Sequence, residues 1–222
     1  MEIKEWMENY KAAVTKQFGS RIWFMGIQGS YGRGEAMPDS DIDVVLILDQ
    51  VTGEDLAAYR AVLEPLPQRD KICGFVSGKN ELLAWEPSDL FQFFYDTTPI
   101  MGSLDVLLER ITRQDIERAV RLGACNVYHM CVHNLVHEQS MEILQSLYKS
   151  VAFTLQAVAF LEKGIYEKKK SALADLLSPN DRRVLDAGMS LKAKDSLLDN
   201  ELTEFSSLLL DWASKKMEEY QD

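Results

Sequence analysis

Residues 21–49, RIWFMGIQGSYGRGEAMPDSDIDVVLILD, decide how the chain is read. An apolar run, Ile22 to Ile27, stops at Gly29-Ser30. A polar, glycine-broken segment follows, and Ser40-Asp41-Ile42-Asp43 opens a second apolar run, Val44 to Leu48. Both runs are short, rich in β-branched residues and bounded by turn signals, which is the pattern of buried strands. Side chains alternate along a strand, so Asp41 and Asp43 share one face, about 7 Å apart. Two carboxylates at the mouth of an apolar strand repel each other and are costly to bury. A divalent cation removes that cost, and magnesium takes oxygen ligands of this kind.

The Gly29-Ser30 corner supplies a second half to the site. Gly29 lets the backbone approach a ligand closely, and Ser30 can open a short helix whose free N–H groups face an anion. A phosphate cradle beside a two-carboxylate metal site is what transfer from a nucleoside triphosphate requires. The ordered set of strand, G-S-Y-G-R-G-E at 29–35, S-D-I-D at 40–43 and strand resembles the G-S-x-x-x-G and D-x-D signature of the DNA polymerase β-like nucleotidyltransferase superfamily. The resemblance implies an NTP substrate with Mg²⁺. It makes Asp41 and Asp43 the catalytic, metal-holding carboxylates and gives the phosphates to Gly29, Ser30 and Arg33. In that superfamily a third carboxylate comes from the following strand. Here that strand reads DKICGFV over 70–76, with no acid in its middle. Asp70, at its end and on the face of Ile72 and Gly74, is the expected third metal ligand, with Glu81 and Asp96 as substitutes.

Composition narrows the acceptor. At 222 residues the chain is long enough for one large domain or two small ones, and 46% apolar with 27% charged residues is ordinary for a soluble globular protein. The net charge of −11 argues against a general binder of long nucleic acids, whose affinity comes from Lys and Arg on phosphates. A compact acceptor or a protein fits better. Cys73, Cys125 and Cys131 show no C-x-x-C spacing and read as reduced core residues of a cytoplasmic protein. The start, MEIKEWMENYK, has no apolar signal-peptide core, and no apolar run approaches the roughly 18 residues that span a bilayer.

Along the chain, residues 2–18 carry apolar positions at helical spacing up to Gly19. Tyr31 to Met37 reads as a short helical link between the two strands, and Thr52 opens a helix to about Leu63. Lys71 to Val76 reads as a third strand, Asn80 to Trp85 as a short helix, Leu90 to Tyr95 as extended, although LFQFFY suits either state, and 96–99 as a turn. The second half shows no strand pattern. A helix is expected from Gln114 to about Glu138, broken near Gly123, then another from 141 with a bundle-type seam capped by Gly164. Lys168 to Lys170 reads as a solvated run. A further helix starts at Ser178-Pro179 and closes at Gly188, and the last carries Leu198, Leu202, Phe205, Leu209 and Trp212 on one stripe.

His129, His133 and His137 stand four apart on one expected helix, spaced too far to share one tetrahedral ion, and read as core or interdomain hydrogen-bonding groups. More loosely, Ile72–Ser77, Glu81–Trp85 and Phe93–Ile100 followed by a helical half resemble the kanamycin (aminoglycoside) nucleotidyltransferase type. In such enzymes a Glu from the helical domain is the general base toward the acceptor hydroxyl, a role the resemblance gives to Glu138. Lys149 interrupts the apolar stretch 147–153 and is placed to reach a phosphate or to snorkel to water.

The chain is therefore expected to be α+β, with a polymerase β-like nucleotidyltransferase domain of mixed sheet at 1–110 and an all-helical bundle at 111–222. The expected reaction moves a nucleoside monophosphate, with ATP as donor, to a hydroxyl of a small-molecule acceptor of aminoglycoside-like kind. Rival readings are a protein-modifying (AMPylating) enzyme of a toxin–antitoxin type and a degenerate nucleotide-binding module. A homodimer is left open.

Overall fold

A computed structural model describes residues 2–221, with the backbone alone at Asp199. The chain divides into two units, Met1–Arg110 and Ile111–Asp222. In the first, α1 (Ile3–Phe18) stops at Gly19, whose φ of 54° suits glycine. Strand β1 (Ile22–Ile27) leads into α2 (Gly29–Arg33), which starts earlier than the expected link and ends at Gly34 with φ 72°. Strand β2 spans Ile42–Leu48, and α3 (Gly53–Leu63) opens with a capping box made by Thr52 and Asp55. Arg21 reaches Asp55 at 2.6 Å and Asp49 at 3.1 Å, and its hydrogen bond holds the Asp55 carboxyl well below the usual carboxylate range.

Strand β3 (Ile72–Gly78), α4 (Lys79–Leu83), α5 (Pro87–Asp96) and β4 (Thr98–Met101) complete the unit. Two expectations are corrected here. The segment 90–95 is helical: Pro87 in the first turn presets the helix, and Leu90 and Phe91 bury one flank of it. The expected turn at 96–99 instead begins β4, an edge strand in which Pro99 is tolerated.

The sheet runs β3-β2-β1-β4, with β2 and β3 parallel and β1 antiparallel to both β2 and β4. One face, with Met25, Ile27, Ile42, Val44, Leu46, Leu48, Ile72 and Val76, packs with Trp6, Tyr10, Val14 and Phe18 of α1 and Tyr59 and Leu63 of α3. Across that layer the Tyr10 and Tyr59 hydroxyls meet at 2.8 Å. Alternation sends Asp43, Val45, Ile47 and Phe75 to the opposite face, where Phe75 meets Phe93 of α5 at 4.9 Å between ring centroids.

Among its described residues the second unit holds helices and their connecting loops but no strand. Helix α6 (Arg113–His133) starts from a Thr112–Asp115 capping box and continues through Gly123. The expected break is absent because Gly123 makes room for a neighbour: a Cβ there would lie 2.4 Å from Thr154 Oγ1. A π turn, Asn134–Glu138, precedes α7 (Met141–Lys163), which ends at Gly164 with φ 70°. After α8 (Lys170–Leu173), α9 (Pro179–Lys192) passes through Gly188 instead of closing on it, since Gly188 likewise leaves room for the Tyr148 ring. Helix α10 (Asp199–Glu219) ends the fold. Helix α6 packs against α7 and α10, and α7 and α10 both pack against α9. The core between them includes Val127, Leu144, Val151, Leu155, Leu209 and Trp212.

A charged cluster is buried in this bundle. Asp181 accepts from Trp212 Nε1 at 2.8 Å and from Ser178 Oγ at 2.7 Å, and pairs with Lys216 at 3.1 Å. The cysteines differ from expectation: Cys131 is buried, but Cys73 and Cys125 are exposed. Among the described residues no helix is long and apolar enough to cross a membrane.

Candidate active site

The site begins where β1 ends and β2 begins. These antiparallel neighbours bring Gln28 and Asp43 together, and the Gln28 N–H donates to the Asp43 carbonyl at 2.8 Å. Asp43 is the second residue of β2 and half-buried, whereas Asp41 stands exposed just before the strand. Gly29, with φ 66°, turns the chain directly against the Asp43 side chain. A Cβ on Gly29 would lie 1.8 Å from Asp43 Oδ2, so a side chain there would have to displace the carboxylate. Ser30 follows in the first turn of α2. Gly29 and Asp43 are therefore in contact where β1 leads into α2 and β2 begins, with Ser30 and Asp41 close by in the chain.

That contact gives a first test. Gly29→Ala forces either the carboxylate or the corner to move and places alanine at positive φ. It is expected to cost about 1–3 kcal/mol of stability through backbone strain. Transfer should fall at least about a hundredfold, because displacing catalytic groups by an ångström is enough for that loss. Assay of the refolded variant beside a denaturation curve checks both.

Arg33 is engaged within its own unit. Its mostly buried guanidinium lies 3.2 Å from Asp96 and 3.5 Å from Glu35. Gln28 Nε2 donates to Thr97 Oγ1 at 2.7 Å. Together these tie the corner and α2 to the end of α5. Asp96, which is buried, is thus Arg33's partner rather than a substitute metal ligand.

Strand β3 also differs from the expectation. Asp70 is exposed in a 3₁₀ turn, Arg69–Lys71, ahead of a ladder that starts at the Ile42–Ile72 pair. Ile72 belongs to the face packed with α1 and α3, whereas the strand neighbour of Asp43 is Cys73 and that of Val45 is Phe75. Sharing a face with Ile72 therefore points away from Asp43, because paired residues of adjacent strands share a face. Glu81 lies against Gly78 at the far end of β3. Among the described residues no three His, Cys, Asp or Glu side chains gather into a metal-binding group. Sequence reasoning also missed Lys71, whose Nζ donates to the Pro38 carbonyl at 2.6 Å and pins the loop ahead of Asp41.

In the second unit Glu138 closes the π turn, about half exposed and 3.5 Å from His133 Nε2. The His133 and His137 rings stand 4.9 Å apart. His129 and His137 are exposed, which corrects the expectation of a core role. Lys149 is exposed on α7.

Residues 9–93 match the family model described as nucleotidyltransferase domain. Among solved structures the chain is similar to spectinomycin adenyltransferase AAD(9) from Enterococcus faecialis, determined with ATP and spectinomycin. The TM-score is 0.57 at 16% identity, over 97% of this chain and 99% of that one. No curated protein matches the chain. The structural likeness is one of fold: a mixed sheet with its helices, followed by a helical half.

Proposed function

We propose that this chain, whose residues 9–93 match the nucleotidyltransferase domain model, transfers AMP from ATP to a hydroxyl of a small-molecule acceptor, with Mg²⁺. The observation that supports this reading is the Gly29 backbone held against the Asp43 carboxylate: the Gly29-Ser30 corner would take the phosphates, and Asp41 stands two residues before Asp43. The pair fits magnesium, which is commonly held by one or two protein carboxylates with water and substrate phosphates completing its shell. Asp41 and Asp43 would hold it, and no third protein ligand is needed. When bound it would offset the negative charge of the phosphates.

The chain's own groups account for the remaining work. The N–H groups and hydroxyl at Gly29-Ser30 hold the terminal phosphates. Arg33 keeps α2 in place through Asp96. A general base takes the proton from the acceptor hydroxyl as its oxygen bonds to the α-phosphorus, and the bond to pyrophosphate breaks; the resemblance to the kanamycin type gives that role to Glu138. A small acceptor is supported by the net charge of −11 and by the likeness to a fold determined with ATP and spectinomycin. The reaction is placed in the cytoplasm, where a reducing environment suits the exposed Cys73 and Cys125 thiols.

Glu138→Gln is expected to lower kcat by at least about a hundredfold with ATP affinity unchanged, since general-base help is worth about 10²–10⁴. Near-normal turnover would reduce Glu138 to a helix-end acid. Calorimetric titration of ATP with and without Mg²⁺ tests the nucleotide site itself: tighter binding with the metal is expected, and equal affinity contradicts it. A second reading, nucleotide binding without transfer, is favoured by the thiol and ring that β3 presents where an acid would complete the carboxylate group.

A further inference from the structure

We infer that the acceptor reaches the α-phosphorus over β3 and rests a ring face on Trp85, with Phe75 bracing that ring. The inference depends on the transfer reading above and adds a direction and a binding surface to it. In phosphoryl-type transfer the attacking and leaving oxygens lie roughly in line through the phosphorus. The sheet order β3-β2-β1-β4 converts that rule into a direction. The Gly29-Ser30 corner continues from β1, and the carboxylate pair sits at the start of β2. With the leaving pyrophosphate held on the β1 side, the acceptor hydroxyl arrives from the β3 side.

That side is open and aromatic. Strand β3 is an edge strand, and both Cys73 and Gly74 are exposed beside Asp43 and Val44. One step further on the same face, Phe75 is half-buried. It meets the Trp85 ring edge-on at 5.4 Å and the Phe93 ring at 4.9 Å. Phe75 is thus held from two sides, and Trp85 still exposes 44% of its surface. A braced indole left open beside a reaction centre offers a flat apolar surface, and it attracts a ring face or a cation equally well. The surface thus takes a cyclic acceptor by stacking, and a cationic group on that acceptor adds to the contact. Cys73 lies between the carboxylates and the rings, where a bound acceptor would cover it.

Cys73 gives the readout. Its alkylation by N-ethylmaleimide is followed by mass spectrometry, with exposed Cys125 of the same chain as internal control. The nucleotide is the non-transferable α,β-methylene analogue of ATP with Mg²⁺. The acceptor probes are spectinomycin and the small-molecule fraction of a cell extract. The analogue alone should change the Cys73 rate less than about twofold. With an acceptor probe added, Cys73 should slow at least about tenfold and Cys125 not at all, a stacking contact being strong enough for that occupancy. Trp85→Ala should abolish the slowing and Trp85→Phe restore it, with analogue affinity unchanged in both. Because Trp85 is exposed, neither variant threatens the fold. Protection by the analogue alone, protection by no probe, or protection that survives Trp85→Ala would each overturn the inference. If the analogue does not bind by calorimetry, the transfer reading falls and takes this inference with it. Binding with the wrong protection pattern overturns this inference alone.

Discussion

Asp43→Asn is expected to lower kcat/KM for nucleotidyl transfer by at least about a thousandfold, the several kcal/mol that metal-assisted charge stabilisation supplies. The amide keeps the shape of the carboxylate against Gly29, so the close contact that defines the corner survives the change. What is lost is the charge, and with it one of the two oxygen donors available to the cation. Asp41→Asn should lose transfer as well. Since Asp41 is exposed ahead of β2, its replacement should alter stability by no more than about 0.5 kcal/mol. Steady-state assays beside urea denaturation separate the two effects. Activity of Asp43→Asn above one-tenth of the parent would mean that the pair does not hold the metal.

The largest effect on stability is expected in the other unit. Asp181→Ala should destabilise the helical bundle by about 3–5 kcal/mol, the usual cost of removing one partner of a buried ion pair. The carboxylate is 1% exposed and receives Trp212, Ser178 and Lys216. Without it the indole N–H loses its partner in the core. The Lys216 ammonium keeps only Glu219, at 2.8 Å, of the pair that holds it. The cluster joins α9 to α10, so the loss should appear in the helical signal followed by circular dichroism in urea. Adding Lys216→Met to Asp181→Ala should recover part of it, because removing both charges leaves no uncompensated ion. A single-variant loss below about 1 kcal/mol would show that the cluster is solvated, as exposed pairs are.

The corner at 21–49 was legible because its physics is local. Strand periodicity, a glycine forced by contact and two alternate carboxylates are all written within one stretch. The second half was legible as helices from its apolar spacing, but not in its glycines. Gly123 and Gly188 read as breaks, yet each sits inside a helix to admit a neighbour's side chain, Thr154 or Tyr148. That reason lies in another helix and leaves no local trace. The segment 90–95 was ambiguous for a related cause: a run of large apolar residues fits a strand or a buried helix, and Pro87 upstream was the deciding signal. Asp70 failed on register. Counting alternation along β3 alone cannot say which face meets Asp43, and the parallel pairing with β2 puts Cys73 there. The Arg33 pair with Asp96 was not legible because the two stand far apart in the chain.

Transfer of label from ATP measures the proposed reaction directly. The protein is incubated with Mg²⁺ and ATP labelled either at the α- or at the γ-phosphate. Spectinomycin, small-molecule fractions of a cell extract and the protein itself are offered as acceptors. The α-label is expected to move to a small molecule, the γ-label to leave in pyrophosphate, and Asp43→Asn to stop both. Magnesium-dependent binding of ATP with no α-label transferred to any acceptor would contradict the proposed reaction and leave a nucleotide-binding module in its place.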